Sequence, residues 1–178
     1  VQFQAFDKWD KDIPSLLSAL PPQLIFHADY VWNIHAKKVS KIYEVNVSRT
    51  ESICRESSRQ GIRRVVLFSD ALVYGPGDSA ALEDSPLSPN SFLGKSFKDA
   101  EEIASTFHHP SQTQVYHLRV APVYGPLIPT GLMLVAKLMA DGILLGPPED
   151  RHRKISFVSG YDLALSALLS ALAPNPGH

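Results

Sequence analysis

One cysteine in 178 residues, Cys54, excludes an internal disulfide and fits a reducing compartment such as the cytoplasm. It falls in a helical pattern, where a thiol serves as a small buried hydrophobe. No apolar run reaches the ~18 residues of a membrane span; the longest candidate, 131–145, is interrupted by Lys137 and Asp141. Neither sign of charge dominates, since 17 Lys and Arg face 18 Asp and Glu for a net charge of −1. Electrostatics therefore gives no reason to expect nucleic acid or an anionic membrane as partner. A basic start followed by an apolar stretch, the mark of a signal peptide, is absent too. The first residue is Val1 rather than Met, as in a processed product, a truncated gene or an expression fragment. The seven histidines are scattered, and their spacing resembles no metal-ligand set; His108 and His109 sit beside Pro110 in a turn.

What is present is a core-forming composition. Hydrophobic residues make up 44% and charged residues 20%, which argues against disorder. Short apolar runs alternate with helical stripes, the pattern of an α/β domain. Residues 13–20 read as a helix capped by Asp12 and stopped by Pro21 and Pro22. A short buried strand covers 23–27, and a long helix covers 39–60, with Gly61 where a left-handed cap is needed. The strongest strand is 64–69, apolar and β-branched as parallel strands tend to be. A loop rich in Pro, Gly, Asp and Ser then runs over 70–90, long enough to be functional. Leu93, Phe97, Ala100, Ala104 and Phe107 mark an amphipathic helix, followed by a strand at 115–120 and a helix at 131–140. A short apolar run at 155–158 and a helix at 162–172 complete the chain, and no linker divides it.

Several blocks carry a resemblance. They are Ala5-Phe6-Asp7-Lys8-Trp9-Asp10, Ile25-Phe26-His27-Ala28-Asp29 and Tyr43-Glu44-Val45-Asn46-Val47-Ser48-Arg49-Thr50. After them come Gly61 to Ser69 followed by Val73-Tyr74-Gly75, then Glu83 to Pro89, Leu118 to Pro126 and Phe157 to Ala164. In this order they resemble the extended short-chain dehydrogenase/reductases, the group holding sugar-nucleotide epimerases and 3β-hydroxysteroid dehydrogenases. The resemblance implies an α/β, Rossmann-like, doubly wound parallel sheet lacking its first two strands, with a small C-terminal substrate-side portion. All of 1–178 then forms one incomplete domain. The family opens with Gly-x-x-Gly-x-x-Gly after a strand, to cradle a pyrophosphate, and none of the ten glycines here stands in that pattern. With sheet order 3-2-1-4-5-6, the third strand either re-pairs with the fourth, or another chain fills the gap, or the chain is part of a longer protein.

The family's chemistry uses a Ser or Thr, a Tyr acting as general acid/base, and a Lys four residues later that lowers the phenol's pKa and holds the nicotinamide ribose. In the register of Val73-Tyr74-Gly75, the Ser position falls on Asp70, one after Ser69. The family's Tyr-Gly-x-Ser-Lys aligns with Leu93-Gly94-Lys95-Ser96-Phe97, so the Tyr position is Leu93 and the Lys position Phe97. Both also belong to the apolar stripe. Lys98 lies about 100° and Lys95 about 200° around the helix from the expected lysine. The expectation is a family member that is catalytically inactive, with a degenerate alternative site using Asp70, Ser69 and Lys98.

NAD or NADP is the cofactor the resemblance implies. Its adenine side would meet Asp7, Ala28 and Asp29, and its nicotinamide side Phe68, Ser69 and Pro122; without a glycine loop such binding is in doubt. Asn46 either shapes the active site through a helix kink or satisfies buried backbone. Arg49 stands where the family prefers Gly, and Val120 and Pro122 depart from its Leu-Arg-Pro pattern. Arg151-His152-Arg153-Lys154 reads as a solvated loop or a phosphate grip. Partners would be a small-molecule substrate or, as an alternative function, another chain: a non-catalytic interaction protein forming homo- or hetero-oligomers through an exposed sheet edge.

Overall fold

The computed structural model describes residues 13–15, 17–18, 22–32, 39–77, 80–126, 137–143 and 156–173. Three strands, β1 (Leu24–His27), β2 (Arg64–Asp70) and β3 (Gln114–Val120), form a parallel sheet in the order β1-β2-β3. Ile25 pairs with Val65, and Val65 with Val115. A second parallel pair joins β4 (Val123–Tyr124) to β5 (Val158–Ser159). The helices are α1 (Val39–Tyr43), α2 (Arg49–Gln60), α3 (Phe92–Ser105) and α4 (Gly160–Leu172). Parallel neighbours need crossover helices, and α2 and α3 supply them between β1 and β2 and between β2 and β3.

The sequence pattern explains most of these boundaries. Gly61 closes α2 with φ 69°, a left-handed conformation that glycine adopts without penalty. Ser91 opens α3 and Ser159 opens α4, each accepting a hydrogen bond from a first-turn N–H. The helical stretch expected over 39–60 is not uniform. Between α1 and α2, Glu44–Ser48 widens into a π-turn, and the Arg49 N–H reaches back to the Glu44 carbonyl. The pair β4–β5 was not legible as strands because each is two residues long. Residues 13–15 and 17–18 are helical, as are 137–140. The block 5–10, the first part (131–136) of the helix expected over 131–140 and the basic run 151–154 lie outside the described residues, and so does Asp12.

One core lies between the sheet and its crossover helices: Ile53 and Cys54 of α2, Val65 and Leu67 of β2, Ala104 of α3 and Val115 of β3. Cys54 is fully buried, and burial pushes its thiol up to about 12, so it packs as a hydrophobe. A second cluster of Tyr30, Ile42, Val73, Leu93 and Phe97 sits beyond the carboxyl ends of β1 and β2. Helix α4 packs against β2 and β3 through small residues, with Ala167 and Ala171 buried. Its larger side chains, including Tyr161, Leu165, Leu169 and Leu172, are exposed.

The turn after β2 is the tightest point. Gly75 has φ 72°, and a Cβ there would stand 2.0 Å from the Ser88 carbonyl oxygen. Gly61 has a similar φ but open space around it. Gly75→Ala should therefore cost at least about 2 kcal/mol, and Gly61→Ala about 1 kcal/mol. Urea denaturation of the two variants checks this, and equal losses would contradict the steric account.

Candidate functional site

In open parallel sheets, ligands bind outside the carboxyl ends of the strands. Beyond β1 that region holds Ala28, Asp29 and Tyr30. Beyond β2 it holds the single 3₁₀ turn Ala71–Tyr74, and beyond β3 it holds Ala121 and Pro122.

The Asp70 carboxylate caps the 3₁₀ turn by accepting the Leu72 N–H at 2.8 Å. Burial raises its pKa, and that hydrogen bond opposes the rise. Ser69 is buried one position earlier and donates its hydroxyl to Glu101 of α3. Glu101 is itself buried and receives Arg119 Nε at 3.1 Å and Nη2 at 2.8 Å. Arg119 Nη1 turns the other way, donating to the Tyr74 hydroxyl at 3.0 Å and the Glu83 carbonyl at 2.7 Å. Its guanidinium also lies 5.1 Å from the Tyr74 ring centroid. The hydrogen bond to Glu101 pushes Arg119 above its ordinary pKa.

Lys98 points elsewhere. Its ammonium stands 3.7 Å from Glu102, and it lines a groove with Tyr43, Ser88, Lys95 and Asp99. Among the described contacts none joins Lys98 to Ser69 or Asp70. Ser69 and Asp70 thus follow each other at the end of β2 with separate partners, Glu101 and the Leu72 N–H, while Lys98 pairs with Glu102.

Leu93 and Phe97, at the positions of the expected acid/base tyrosine and its lysine, are 3% and 1% exposed. Two contacts fix how α3 sits. A Cβ on Gly94 would approach the Leu72 carbonyl oxygen to 2.7 Å, so that position admits no side chain. Ser96 donates to the Leu93 carbonyl at 2.7 Å and receives the Asn46 amide at 3.0 Å. Asn46 lies in the π-turn, and its Oδ1 accepts the Val31 N–H at 2.7 Å. The two readings of Asn46 are one arrangement: the residue sits in the helix distortion and satisfies buried backbone.

Phe97 is flanked by two rings, Tyr30 at 5.2 Å and Trp32 at 5.0 Å between centroids. Tyr30 in turn lies 4.7 Å from the ring of His27. His27 is buried and shares a 3.1 Å hydrogen bond with the Thr50 hydroxyl. Asp29 forms an ion pair of 2.5 Å with Arg49, the residue standing where glycine was expected. Phe68 packs against the cluster around Phe97. Ala28 is exposed, and the Pro122 carbonyl accepts the Val158 N–H at 3.1 Å. Asp7 lies outside the described residues, and among those described no group of acidic, His and Cys side chains could hold a metal.

Sequence reasoning missed Glu101, Arg119, Tyr30 and Trp32. Glu101 had a signal: with Leu93 and Phe97 it follows the four-residue repeat of the inward stripe, so an acid there needed a buried partner. Tyr30 and Trp32 carried none, since nothing local says which way a chain turns after a strand.

A parallel α/β sheet covered by its crossover helices, with polar groups at the carboxyl ends of its strands, defines a Rossmann-like class of fold. The chain belongs to the NAD dependent epimerase/dehydratase family, whose model matches residues 5–156. It is similar to the UDP-glucose 4-epimerase of Mycolicibacterium smegmatis, 27% identical over 150 residues that make up 82% of this chain and 48% of that protein. It thus spans about half the length of that curated relative. Among solved structures it is similar to the UDP-glucuronic acid 4-epimerase of Bacillus cereus in complex with UDP-glucuronic acid and NAD. That match has a TM-score of 0.83 and 19% identity, and covers 98% of this chain and 56% of the other. The Streptomyces venezuelae dTDP-glucose 4,6-dehydratase DesIV, a double mutant with NAD bound, matches with a TM-score of 0.74 and 26% identity, covering 89% and 52%.

The family is NAD-dependent and these two solved neighbours carry NAD. The residue at the position expected for the family's lysine does not fit that group: Phe97 offers no donor for a ribose hydroxyl, and Tyr30 and Trp32 pack against it.

Burial pushes the His27 pKa down to about 4, with Asp29 opposing and Arg49 reinforcing the shift. The unfolded chain binds this proton near pH 6.5. Stability from this residue is therefore complete above pH 6.5 and is lost as pH falls toward 4, by about 3 kcal/mol. Urea midpoints measured between pH 7 and pH 4.5 should fall accordingly, and His27→Gln should flatten most of the slope. An unchanged slope in that variant would assign the effect to other groups.

Proposed function

We propose that this chain is an epimerase/dehydratase-family protein of the sugar-nucleotide class in which the family's tyrosine–lysine proton relay does not operate. The observation that carries the reading is the burial of Leu93 and Phe97 in the second core cluster. A leucine has no proton to exchange, and a buried phenylalanine can neither depress a phenol's pKa nor bind a ribose. The similarity to UDP-sugar and dTDP-sugar enzymes supports a nucleotide-sugar ligand. Of the polar groups at the strand ends, Asp70 is the one suited to take a proton, because burial raises its pKa. Ser69 and Lys98, the other members of the alternative site, are engaged with Glu101 and Glu102.

A second reading rests on β1. Its outer edge has no paired strand among the described residues, and Phe26 on it is 44% exposed. An open edge favours association with another chain by strand addition. The buried, single Cys54 supports a cytoplasmic setting, and no helix among the described residues is long and apolar enough to cross a membrane.

Incubation with UDP-glucose and NAD⁺ should give no change in nicotinamide absorbance and no epimerised sugar. Calorimetric titration with UDP-glucose alone should still register binding. Turnover by the wild-type chain would overturn the first reading, and a clean monomer by light scattering would count against the second.

A further inference from the structure

The disagreement at Phe97 has a chemical consequence, which rests on the reading of the site as a nucleotide site. Beyond the carboxyl ends of β1 and β2, where a parallel sheet receives ligands, the space under α3 is filled by side chains. Tyr30 comes from the segment after β1, Val73 from the turn after β2, and Leu93 and Phe97 from the first turns of α3. Phe97 is held in place from several sides. Gly94 and Ser96 fix the rotation of α3, the first by its close approach to Leu72 and the second by its bond to Asn46. Tyr30 and Trp32 then contact the Phe97 ring, and Trp32 remains 43% exposed, forming the solvent side of the stack. Tyr30 is anchored behind by Thr50 and by the ring of His27. A second nucleoside could enter only by displacing these rings, and repacking a buried aromatic such as Phe97 is costly.

We propose that Phe97, packed against Tyr30 and Trp32, is an exclusion wedge that denies this site the second nucleoside of a dinucleotide, so that a dinucleotide gains nothing there over a mononucleotide.

The test compares NAD⁺ with ADP by calorimetric titration of the wild-type chain, Phe97→Ala and Phe97→Lys. Trp32 fluorescence, followed in a Trp9→Phe background, is the second readout. The expected result for the wild type is that NAD⁺ binds no better than ADP, within about threefold, and leaves Trp32 emission unchanged. In the Phe97 variants NAD⁺ should gain about tenfold over ADP and quench Trp32. The proposal is overturned if the wild-type chain prefers NAD⁺ by about tenfold or more, or if the ratio stays the same in the variants, including the case where neither ligand binds to any of them. Phe97→Ala leaves a cavity and Phe97→Lys buries a charge, so each is checked for a cooperative thermal transition. Trp32→Ala opens the stack from its exposed side and decides the question by the same titration if neither folds. Turnover by the wild-type chain would refute the inactive reading above and leave the NAD⁺-to-ADP ratio to judge the wedge by itself.

Discussion

The side-chain amide of Asn46 joins three segments far apart in the chain: the exit from β1 through Val31, the π-turn on which Asn46 sits, and α3 through Ser96. An amide buried without partners is costly, so its fully buried setting requires all three segments to be correctly placed at once. The π-turn turns the Asn46 side chain toward both partners. Once Ser96 is held, the rotation of α3 is set, and Leu93, Phe97 and Glu101 all face inward. The aromatic stack and the buried ion pair both follow from that rotation.

The two halves of α3 use the same inward stripe differently. Its first turns bury Leu93 and Phe97, each worth about 2 kcal/mol of transfer free energy. Further along, Glu101 would be an expensive buried charge if it stood alone. It is compensated by the Arg119 guanidinium and the Ser69 hydroxyl, which tie α3 to both β3 and β2. Such a pair contributes little net stability against an apolar replacement, but losing one partner is severe because the other charge stays buried. Its effect is to fix geometry at the carboxyl end of the sheet, with Tyr74 and the Glu83 carbonyl held by the same arginine.

The Asp29–Arg49 pair illustrates a linked departure from the family pattern. Arg49 occupies a position where glycine was expected for close packing. Its backbone N–H closes the π-turn while its guanidinium reaches the carboxylate beyond β1. The half-buried side chain thus spans the gap that a glycine would have left.

Most of the order of elements, the cap at Gly61 and the inward stripe of α3 were legible in the sequence, because they depend on local propensity and on periodicity within one element. That Leu93 and Phe97 would both be buried was legible as well, since their spacing puts them on one apolar face of α3. The destination of each polar group was not. Whether Ser69 would serve a substrate or Glu101, whether Lys98 would face the strand ends or Glu102, and whether Tyr30 and Trp32 would close over Phe97 depend on contacts across many residues of sequence. Such contacts exist only once β1, β2 and α3 have packed. The sequence by itself determined which side chains were available and which face of each element was apolar; tertiary structure decided which of them meet, because buried polar groups and rings settle wherever packing leaves a partner within reach.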